Sequence, residues 1–387
     1  MDGSSIEMRV VNHQPFALSG VEPEQQKAAF KSNGPSRIEL VLLWLIGAIC
    51  FITVISHFQS YWQKVGDAGD NGQYISAAQA IQRWDFRAAQ TKQGWGLSYL
   101  IALLSEFHLS ERLSLLFISM ASSLGSMFLA RDLWGPWIAA FFTVLSIPWL
   151  QTSFLGGSEP LFVLLVFASF WFSRRDRWIT ASVLAALATV TRPVGVFVLF
   201  ALGLTLLLRK DYRRLLFCTV VAALIGFVYL MPFWIAFHDP LYQFHRYKHE
   251  DWQSGYFVTW PFHIIAVSYW YYRGPWTNVM LTGGWIGLAA VGWCRIGVKL
   301  YRDRTAEQTN EGIFAITYLM FLFCYNSLEW ARWDFPRFVI PAIPLILLSV
   351  NAWLPKSRWV IYPLCAVSSI LAACSAIGIR NVIATLH

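Results

Sequence analysis

From residue 38 onward, long apolar segments follow one another with only short polar breaks between them. A membrane-spanning helix needs about 20 mostly apolar residues. In hydrocarbon every backbone N–H and C=O must be paired within the protein, and a helix achieves this within one segment. We therefore predict an all-α polytopic membrane protein with about 11 transmembrane helices, in the runs 38–58, 112–130, 135–153, 159–173, 177–191, 193–209, 213–237, 278–294, 312–327, 338–354 and 359–379.

The composition agrees with a membrane protein. Only 13% of the 387 residues are charged, whereas a soluble domain has about 25%. The net charge of +8 does not require nucleic acid, because excess Lys and Arg in membrane proteins lie in cytoplasmic loops. We expect membrane lipids as neighbours and no nucleic acid as partner. The six cysteines lack disulfide or metal spacing and are expected to pack within the apolar segments.

The short apolar run at 94–107 decides how the chain is threaded through the membrane. Counted as a span, it would place the arginine clusters at 174–177 and 209–214 outside. A helix lying on the outer surface places both clusters inside, as the positive-inside rule favours. We adopt the surface helix, with the N-terminus inside and the C-terminus outside. Three outer segments follow from this choice: 59–111, 238–277 and 329–337.

The rest of the domain organisation is simple. Residues 1–36 are polar and show no periodic pattern, so we predict a flexible cytoplasmic tail. Residues 37–387 are expected to form a single transmembrane domain. Most of the unusual polar residues fall on its outer face, which is where we look for function.

The first outer segment contains Gly-Asp-Ala-Gly-Asp-Asn-Gly-Gln-Tyr at 66–74. Asp67 and Asp70 could act as a general base or bind a cation. Asp70 is the better candidate, because it precedes a helix-like run at 73–84 and lies four residues before Tyr74, so that both can share one helix face. The alternative is an ordinary solvated loop.

Two further ionisable residues lie at the outer ends of predicted spans. Glu159 precedes Pro160 at the start of a span, where a carboxylate is favoured by the helix dipole. An ionisable group entering a membrane is also a functional candidate. Arg192 lies between two apolar runs without an acidic neighbour in sequence. It needs an anionic partner from elsewhere in the fold, or a phosphate, which its planar fork can bind through two oxygens.

The second outer segment carries a basic cluster of His245, Arg246 and Lys248. Its histidines could suggest a metal, but the adjacent cations disfavour one. Phosphate or lipid-headgroup contact is the preferred interpretation. No cofactor is expected, with a divalent metal as the alternative.

Two arginines flank an acidic residue in the third outer segment. Arg332 and Arg337 lie on either side of Asp334, which makes a local ion-pair cluster or a second anion site. The sequence contains neither a Walker-type nucleotide loop nor a nucleophile elbow.

Four motifs together resemble the GT-C superfamily of membrane glycosyltransferases. The resemblance is closest to the protein O-mannosyltransferase and aminoarabinose-transferase branch, with GPI mannosyltransferases more distant. The motifs occur in the family's order: Asp-x-x-x-Tyr at 70–74, Ser-Glu-Pro-Leu-Phe at 158–162, Val-Thr-Arg-Pro-Val-Gly at 190–195, and Arg-Phe-Val-Ile-Pro-Ala-Ile-Pro at 337–344.

This resemblance implies a GT-C-like fold with juxtamembrane helices in the first outer loop, matching 73–84 and 94–107. It also implies a polyprenyl-phosphate-linked sugar donor, mannose-like or other, and a lipid, glycan or protein acceptor. Transfer would be inverting, on the outer or periplasmic face of a bacterial inner membrane. The family often has Asp-Glu where this chain has Asp70-Asn71, which leaves acceptor choice and metal use open.

In that mechanism Asp70 would be the base, with Asp67 and Glu159 as further catalytic candidates. The phosphate contacts would come from Arg192, Arg337 or the Arg246–Lys248 pair. The rival function is a transporter, or a protein that binds lipid-linked sugar without catalysis, since such proteins also place charged residues at membrane depth.

The threading predicts a labelling pattern. Cysteines introduced at 108–111 should react with a membrane-impermeant thiol reagent in intact cells, because these residues would be outside. Cysteines introduced at 175–177 should react only after permeabilisation. The reverse pattern would show that 94–107 crosses the membrane.

Overall fold

The computed structural model describes residues 34–89, 92–250, 256–271, 276–302, 310–328 and 334–378. In this part of the chain the regular structure is helical, apart from one isolated bridge between Val258 and Tyr325. The all-α prediction is therefore confirmed for the described residues. The helices are α1 (Arg37–Phe58), α2 (Tyr61–Asp67), α3 (Asn71–Gln82), α4 (Gly96–Ser105), α5 (Glu111–Trp134), α6 (Pro136–Leu145), α7 (Ile147–Leu155), α8 (Ser158–Ser173), α9 (Trp178–Thr191), α10 (Val196–Leu208), α11 (Tyr212–Phe237), α12 (Tyr242–Glu250), α13 (His263–Tyr271), α14 (Trp276–Arg302), α15 (Asn310–Cys324), α16 (Phe335–Phe338), α17 (Ile343–Ser349) and α18 (Arg358–Ile377).

Some of these helices are long and apolar enough to cross a membrane on their own. Among the described residues there are 4 such helices, α1, α5, α11 and α18. The pair α6 and α7 makes a fifth unit, bent by 79°. Shorter apolar helices cover further predicted runs, so the count of eleven spans stays a prediction.

The bend between α6 and α7 has a local cause. Pro148 lies in the first turn of α7 and has no N–H with which to continue the preceding helix. Ser146 starts the new helix, because its side chain accepts a hydrogen bond from the backbone N–H of Trp149 at 3.3 Å. The chain therefore turns at this point, within an apolar segment.

The basic turns gather at one end of the helices. Arg174, just after α8, pairs with Glu311 in α15 at 2.6 Å. Arg358 at the start of α18 pairs with Glu39 in the first turn of α1 at 2.7 Å. Glu159 lies fifteen residues before Arg174, near the opposite end of α8, which is about 22 Å away at 1.5 Å per residue.

The helices α3 and α4 lie against each other in the first predicted outer segment. Near the start of α4, Ser98 Oγ donates to the Tyr74 carbonyl oxygen at 3.0 Å. Near its end, the Ala102 carbonyl oxygen accepts from Gln82 Nε2 at 3.3 Å. Because both ends of α4 contact α3, α4 runs along its neighbour rather than away from it. The surface position of 94–107 relative to the membrane stays a prediction.

The segment leading into α4 also fixes the end of α9. A Cβ atom on Gly94 would press on the Thr191 carbonyl oxygen and lie 2.8 Å from the Val190 carbonyl oxygen. A Cβ on Gly96 would lie 2.8 Å from Thr191 Cα. Glycine therefore allows the two backbones to touch. This contact positions Arg192, the residue that follows Thr191.

Gly94→Ala should therefore separate the two backbones and lower the thermal midpoint of the purified protein by several degrees, because the obstructing atoms are main-chain atoms. Gly72→Ala is the matched control. Its Cβ would lie 3.8 Å from the nearest atom, the Gly66 carbonyl oxygen, and an Ala within a helix reduces the entropy of the unfolded chain. Equal thermal midpoints for the two variants would contradict this packing.

Candidate active site

Four charged side chains from distant parts of the sequence meet at one place. Glu159 Oε1 accepts hydrogen bonds from Arg192 Nη1 and from Arg337 Nε. Arg337 Nη2 also donates to Asp70 Oδ2 at 3.1 Å. The three ion pairs connect the starts of α3 and α8 with the end of α9 and with α16. We call Asp70, Glu159, Arg192 and Arg337 the charged cluster.

The two carboxylates of the charged cluster differ sharply in exposure. The side chain of Glu159 is 3% exposed, whereas that of Asp70 is 25% exposed. A buried carboxylate is stable only with charged or hydrogen-bonding partners, and Glu159 obtains two guanidinium groups. Asp70 can be reached by a ligand from solvent, while Glu159 cannot without rearrangement.

The local backbone places Asp70 where an aspartate would normally cap a helix. It occupies the N-cap position of α3, yet its side chain makes no capping hydrogen bond. Its Oδ2 instead accepts from Arg337, and Oδ1 has no hydrogen bond to a described residue. The usual structural explanation for an N-cap aspartate therefore does not apply, and one carboxylate oxygen remains open.

Tyr74 shares the same helix face as Asp70, as the sequence predicted, but it has a different environment. Its side chain is buried, and its hydroxyl donates to Ser158 Oγ at 2.8 Å. Arg192 Nη1 donates to the same Oγ at 3.2 Å. Burial raises the pKa of Tyr74 to about 12, so the hydroxyl stays protonated at neutral pH. Tyr74 thus holds the start of α8 in place.

Arg192 is fixed by its surroundings. Its guanidinium group lies over the ring of Phe338, with 4.8 Å between Cζ and the ring centroid. Phe338 is held in turn by its carbonyl oxygen, which accepts from the Tyr318 hydroxyl at 2.7 Å. The Arg192 side chain is only 13% exposed. One face of its guanidinium group packs on the aromatic ring, and Nη1 on its edge donates to Glu159 and Ser158. Of the two alternatives that the sequence left open, an anionic partner from the fold or a phosphate, the structure shows an anionic partner, Glu159.

Asp334 belongs to the same environment, whereas the sequence suggested a local ion-pair cluster with its flanking arginines or a second anion site. It is the N-cap residue of α16, without a capping hydrogen bond, and Arg337 lies one turn later. Burial raises its pKa above the usual value, the carboxylates of Asp70 and Glu159 raise it further, and Arg337 opposes them. Arg332, the other flanking arginine, lies outside the described residues.

Two side chains that sequence reasoning missed complete the site. Ser158 receives hydrogen bonds from both Tyr74 and Arg192. Asn71 is buried, and its amide donates to the carbonyl oxygens of Val65 and Leu155 at 2.6 and 2.9 Å. Both residues lie inside motifs that the sequence singled out, next to Glu159 and Asp70, and only their contacts reveal what they do.

The remaining predicted site residues lie apart from these contacts. Asp67 is the last residue of α2, exposed and without an ion pair to a described residue. His245 Nδ1 lies 2.8 Å from Asp239 Oδ2. Arg246 and Lys248 follow it in α12, with Lys248 exposed. The described residues contain no group of three or more His, Cys, Asp or Glu arranged to hold a metal.

The second predicted outer segment nevertheless adjoins the first. Gln243 in α12 donates to the Lys92 carbonyl oxygen at 3.2 Å. The next residue, Gln93, has its Oε1 3.5 Å from the Tyr74 hydroxyl. The helix that carries the predicted basic cluster is therefore joined through two neighbouring residues to the environment of Tyr74.

Comparison with known proteins agrees with the sequence motifs. The chain is similar to ArnT from Cupriavidus metallidurans bound to undecaprenyl phosphate, with a TM-score of 0.58 and 14% identity over 89% of this chain and 78% of that one. The apo state of the same ArnT gives a TM-score of 0.53 and 17% identity over 87% and 77%. No curated protein sequence matches significantly.

The similarity to the ArnT structures shows a shared fold. The profile of glycosyltransferase family 87 matches residues 96–324, more than half of the chain. The resemblance to GT-C membrane glycosyltransferases is therefore confirmed, and the chain belongs to glycosyltransferase family 87.

Proposed function

We propose that this glycosyltransferase moves a sugar from a polyprenyl-phosphate donor to an acceptor hydroxyl, with inversion and with Asp70 as the base. The observation that carries the proposal is the charged cluster, in which the partly exposed carboxylate of Asp70 pairs with Arg337 while the buried Glu159 pairs with both Arg337 and Arg192. The undecaprenyl phosphate bound by the ArnT of the same fold supports the donor class.

The proposed reaction is a single displacement. Asp70 takes the proton of the acceptor hydroxyl as that oxygen attacks the anomeric carbon of the sugar. The bond between this carbon and the phosphate oxygen breaks, and the bonding electrons leave with the lipid phosphate. The new glycosidic bond forms on the opposite face of the sugar, so the configuration inverts. No covalent intermediate on the protein is needed.

Arg192 and Arg337 are the proposed contacts of the departing phosphate. Negative charge grows there during the reaction, and fixed positive groups stabilise such charge most effectively when they are already in place. Arg192 is held by Phe338 and Ser158, and Arg337 by two carboxylates. Arg246 and Lys248 in α12 remain proposed phosphate or headgroup contacts from the second outer segment. Arg332 has the same proposed role.

Glu159 has a different proposed role from Asp70. Its Oε1 already accepts from both arginines, and its burial keeps acceptor molecules away. We therefore propose that it sets the separation and direction of the two guanidinium groups. The contribution of Glu159 would reach the reaction through the arginines, and Asp67 would contact the acceptor or shape the loop.

The proposed setting is a bacterial inner membrane, with the charged cluster on the outer or periplasmic side. Basic residues lie after the end of α8 and beside the start of α1, away from the charged cluster. They support this orientation, because excess Lys and Arg remain in the cytoplasm. A single transmembrane domain at 37–387 with eleven spans, after a cytoplasmic tail, completes the proposal. The sugar is a mannose-like hexose or another glycosyl unit, and the acceptor is a lipid, glycan or protein.

Asp70→Asn should lower the turnover number for sugar transfer by about 10²- to 10⁴-fold, the usual contribution of a general base. The amide keeps the size of the side chain but cannot accept the proton. Donor affinity should stay near normal. The measurement is transfer by the purified protein from a panel of synthetic polyprenyl-phosphate sugars, with KM for the donor determined separately.

Asp67→Asn is the matched control, three residues away and outside the charged cluster, and should lower the turnover number much less. The turnover number of Glu159→Gln should lie between those of the two aspartate variants, because the arginines lose their charged anchor. If Asp67→Asn is inactive while Asp70→Asn is active, the assignment of the base to Asp70 within this loop is wrong. Normal transfer by all three variants would remove the cluster from the chemistry and reopen the transporter alternative for this protein.

Arg192→Ala should raise KM for the donor by about 10- to 100-fold, since a charge-assisted hydrogen bond contributes roughly 1.5–3 kcal/mol. Arg192→Lys should recover part of the affinity through its charge but not the forked geometry. The exposed Arg83 provides the control Arg83→Ala, with unchanged KM. If Arg192→Ala binds donor as well as the unaltered protein does, this arginine is not a phosphate contact.

A further inference from the structure

Two polar turns are joined at the end of the molecule opposite the charged cluster. One is the turn between α8 and α9, and the other is the turn between α10 and α11. Arg214 Nη1 in α11 lies 2.6 Å from Oδ1 of Asp176 in the first turn. Trp178 Nε1 donates to the same Oδ1 at 2.7 Å. Arg214 Nε also lies 3.3 Å from Asp211 Oδ2, so one arginine fixes both turns to each other.

The joined turns carry a large excess of positive charge. Arg174 in the first turn pairs with Glu311 of α15. The other six cations face only the two carboxylates of these turns, and all six are exposed. Elsewhere at this end, Arg358 has Glu39 as its acidic partner. We call the six cations the basic platform: Arg175, Arg177, Arg209, Lys210, Arg213 and Arg214.

Aromatic rings restrain several members of the basic platform. Cζ of Arg175 lies 3.3 Å from the centroid of a Trp171 ring. Cζ of Arg209 lies 5.2 Å from a Trp178 ring centroid. Such cation–π contacts hold the guanidinium groups while leaving their edges free to donate. The positive charge is therefore presented in a fixed arrangement, which lowers the entropy lost when an anion binds.

The basic platform borders directly on exposed apolar side chains. Ile179 is 54% exposed and Leu216 is 62% exposed. Both lie within one turn of a cation, at the starts of α9 and α11. Most of α11 is exposed, with three of its 26 residues buried, and this helix is long and apolar enough to cross a membrane. The basic platform is therefore continuous with the exposed apolar side of α11. Such a combined surface matches a molecule with an anionic head and hydrocarbon chains.

We propose that the basic platform binds the headgroup of an anionic phospholipid, whose acyl chains lie along the exposed side of α11. The binding site is separate from the charged cluster and does not depend on the proposed reaction. A soluble phosphate would use only the cations and would gain nothing from the neighbouring apolar side chains. A phospholipid fills both surfaces with one molecule, because its headgroup meets the cations while its acyl chains lie against α11.

The test uses the full-length protein in phosphatidylcholine vesicles that contain a trace of spin-labelled lipid. Electron paramagnetic resonance measures the fraction of the label immobilised on the protein, for labelled phosphatidylglycerol and for labelled phosphatidylcholine. The unaltered protein should prefer the anionic label. Lys210→Gln with Arg213→Gln should reduce that preference by roughly 25-fold, because each cation near an anionic surface contributes about fivefold.

Lys64→Gln with Arg83→Gln is the matched control, with the same two residue types changed outside the basic platform. Its preference for the anionic label should equal that of the unaltered protein. No preference in the unaltered protein, or an equal loss in the control, would overturn the proposal. Release of the label by millimolar inorganic phosphate would identify a free anion as the ligand instead. Unchanged lipid preference, with loss of a co-purifying protein from the Lys210/Arg213 variant, would assign the surface to a protein partner.

Discussion

The site depends on one buried carboxylate held between two arginines. Glu159 lies in the first turn of an apolar helix, and its Oε1 accepts from Arg192 and Arg337, which are 33 and 178 residues away in sequence. Removing one partner of a buried ion pair leaves an uncompensated charge in a medium of low polarity, which is strongly unfavourable. The start of α8, the end of α9 and the short helix α16 are therefore constrained to meet.

This arrangement separates the two carboxylates into different roles. Glu159 is enclosed, and its Oε1 accepts from both arginines, so it can fix their positions but cannot readily meet an acceptor. Asp70 is bound on one side by Arg337 and is partly exposed on the other. The absence of a capping hydrogen bond from Asp70 leaves its open oxygen available. The proposed reaction assigns its base, two phosphate contacts and their buried anchor to these four side chains.

The four sequence motifs acquire a common physical meaning in the fold. Each supplies a residue to the charged cluster, or a residue that holds it: Asp70 and Tyr74, Ser158 and Glu159, Arg192, and Arg337 with Phe338. The ArnT structures share the fold at only 14% and 17% identity. Apolar side chains can be exchanged widely within a helix bundle when volume and pattern are kept, whereas an ion-pair cluster depends on particular residues.

The sequence by itself determined the all-α class, the membrane-like apolar segments, the helix after Asp70 and the family resemblance, because these follow from local pattern and residue type. It also indicated that Arg192 needs either an anionic partner from elsewhere in the fold or a phosphate. Only the tertiary structure decided that this partner is Glu159, that Asp334 adjoins the same carboxylates, and that Asp67 stands apart. Ion pairs between residues more than 30 positions apart leave no periodic signal, since they depend on which helix ends become neighbours after packing.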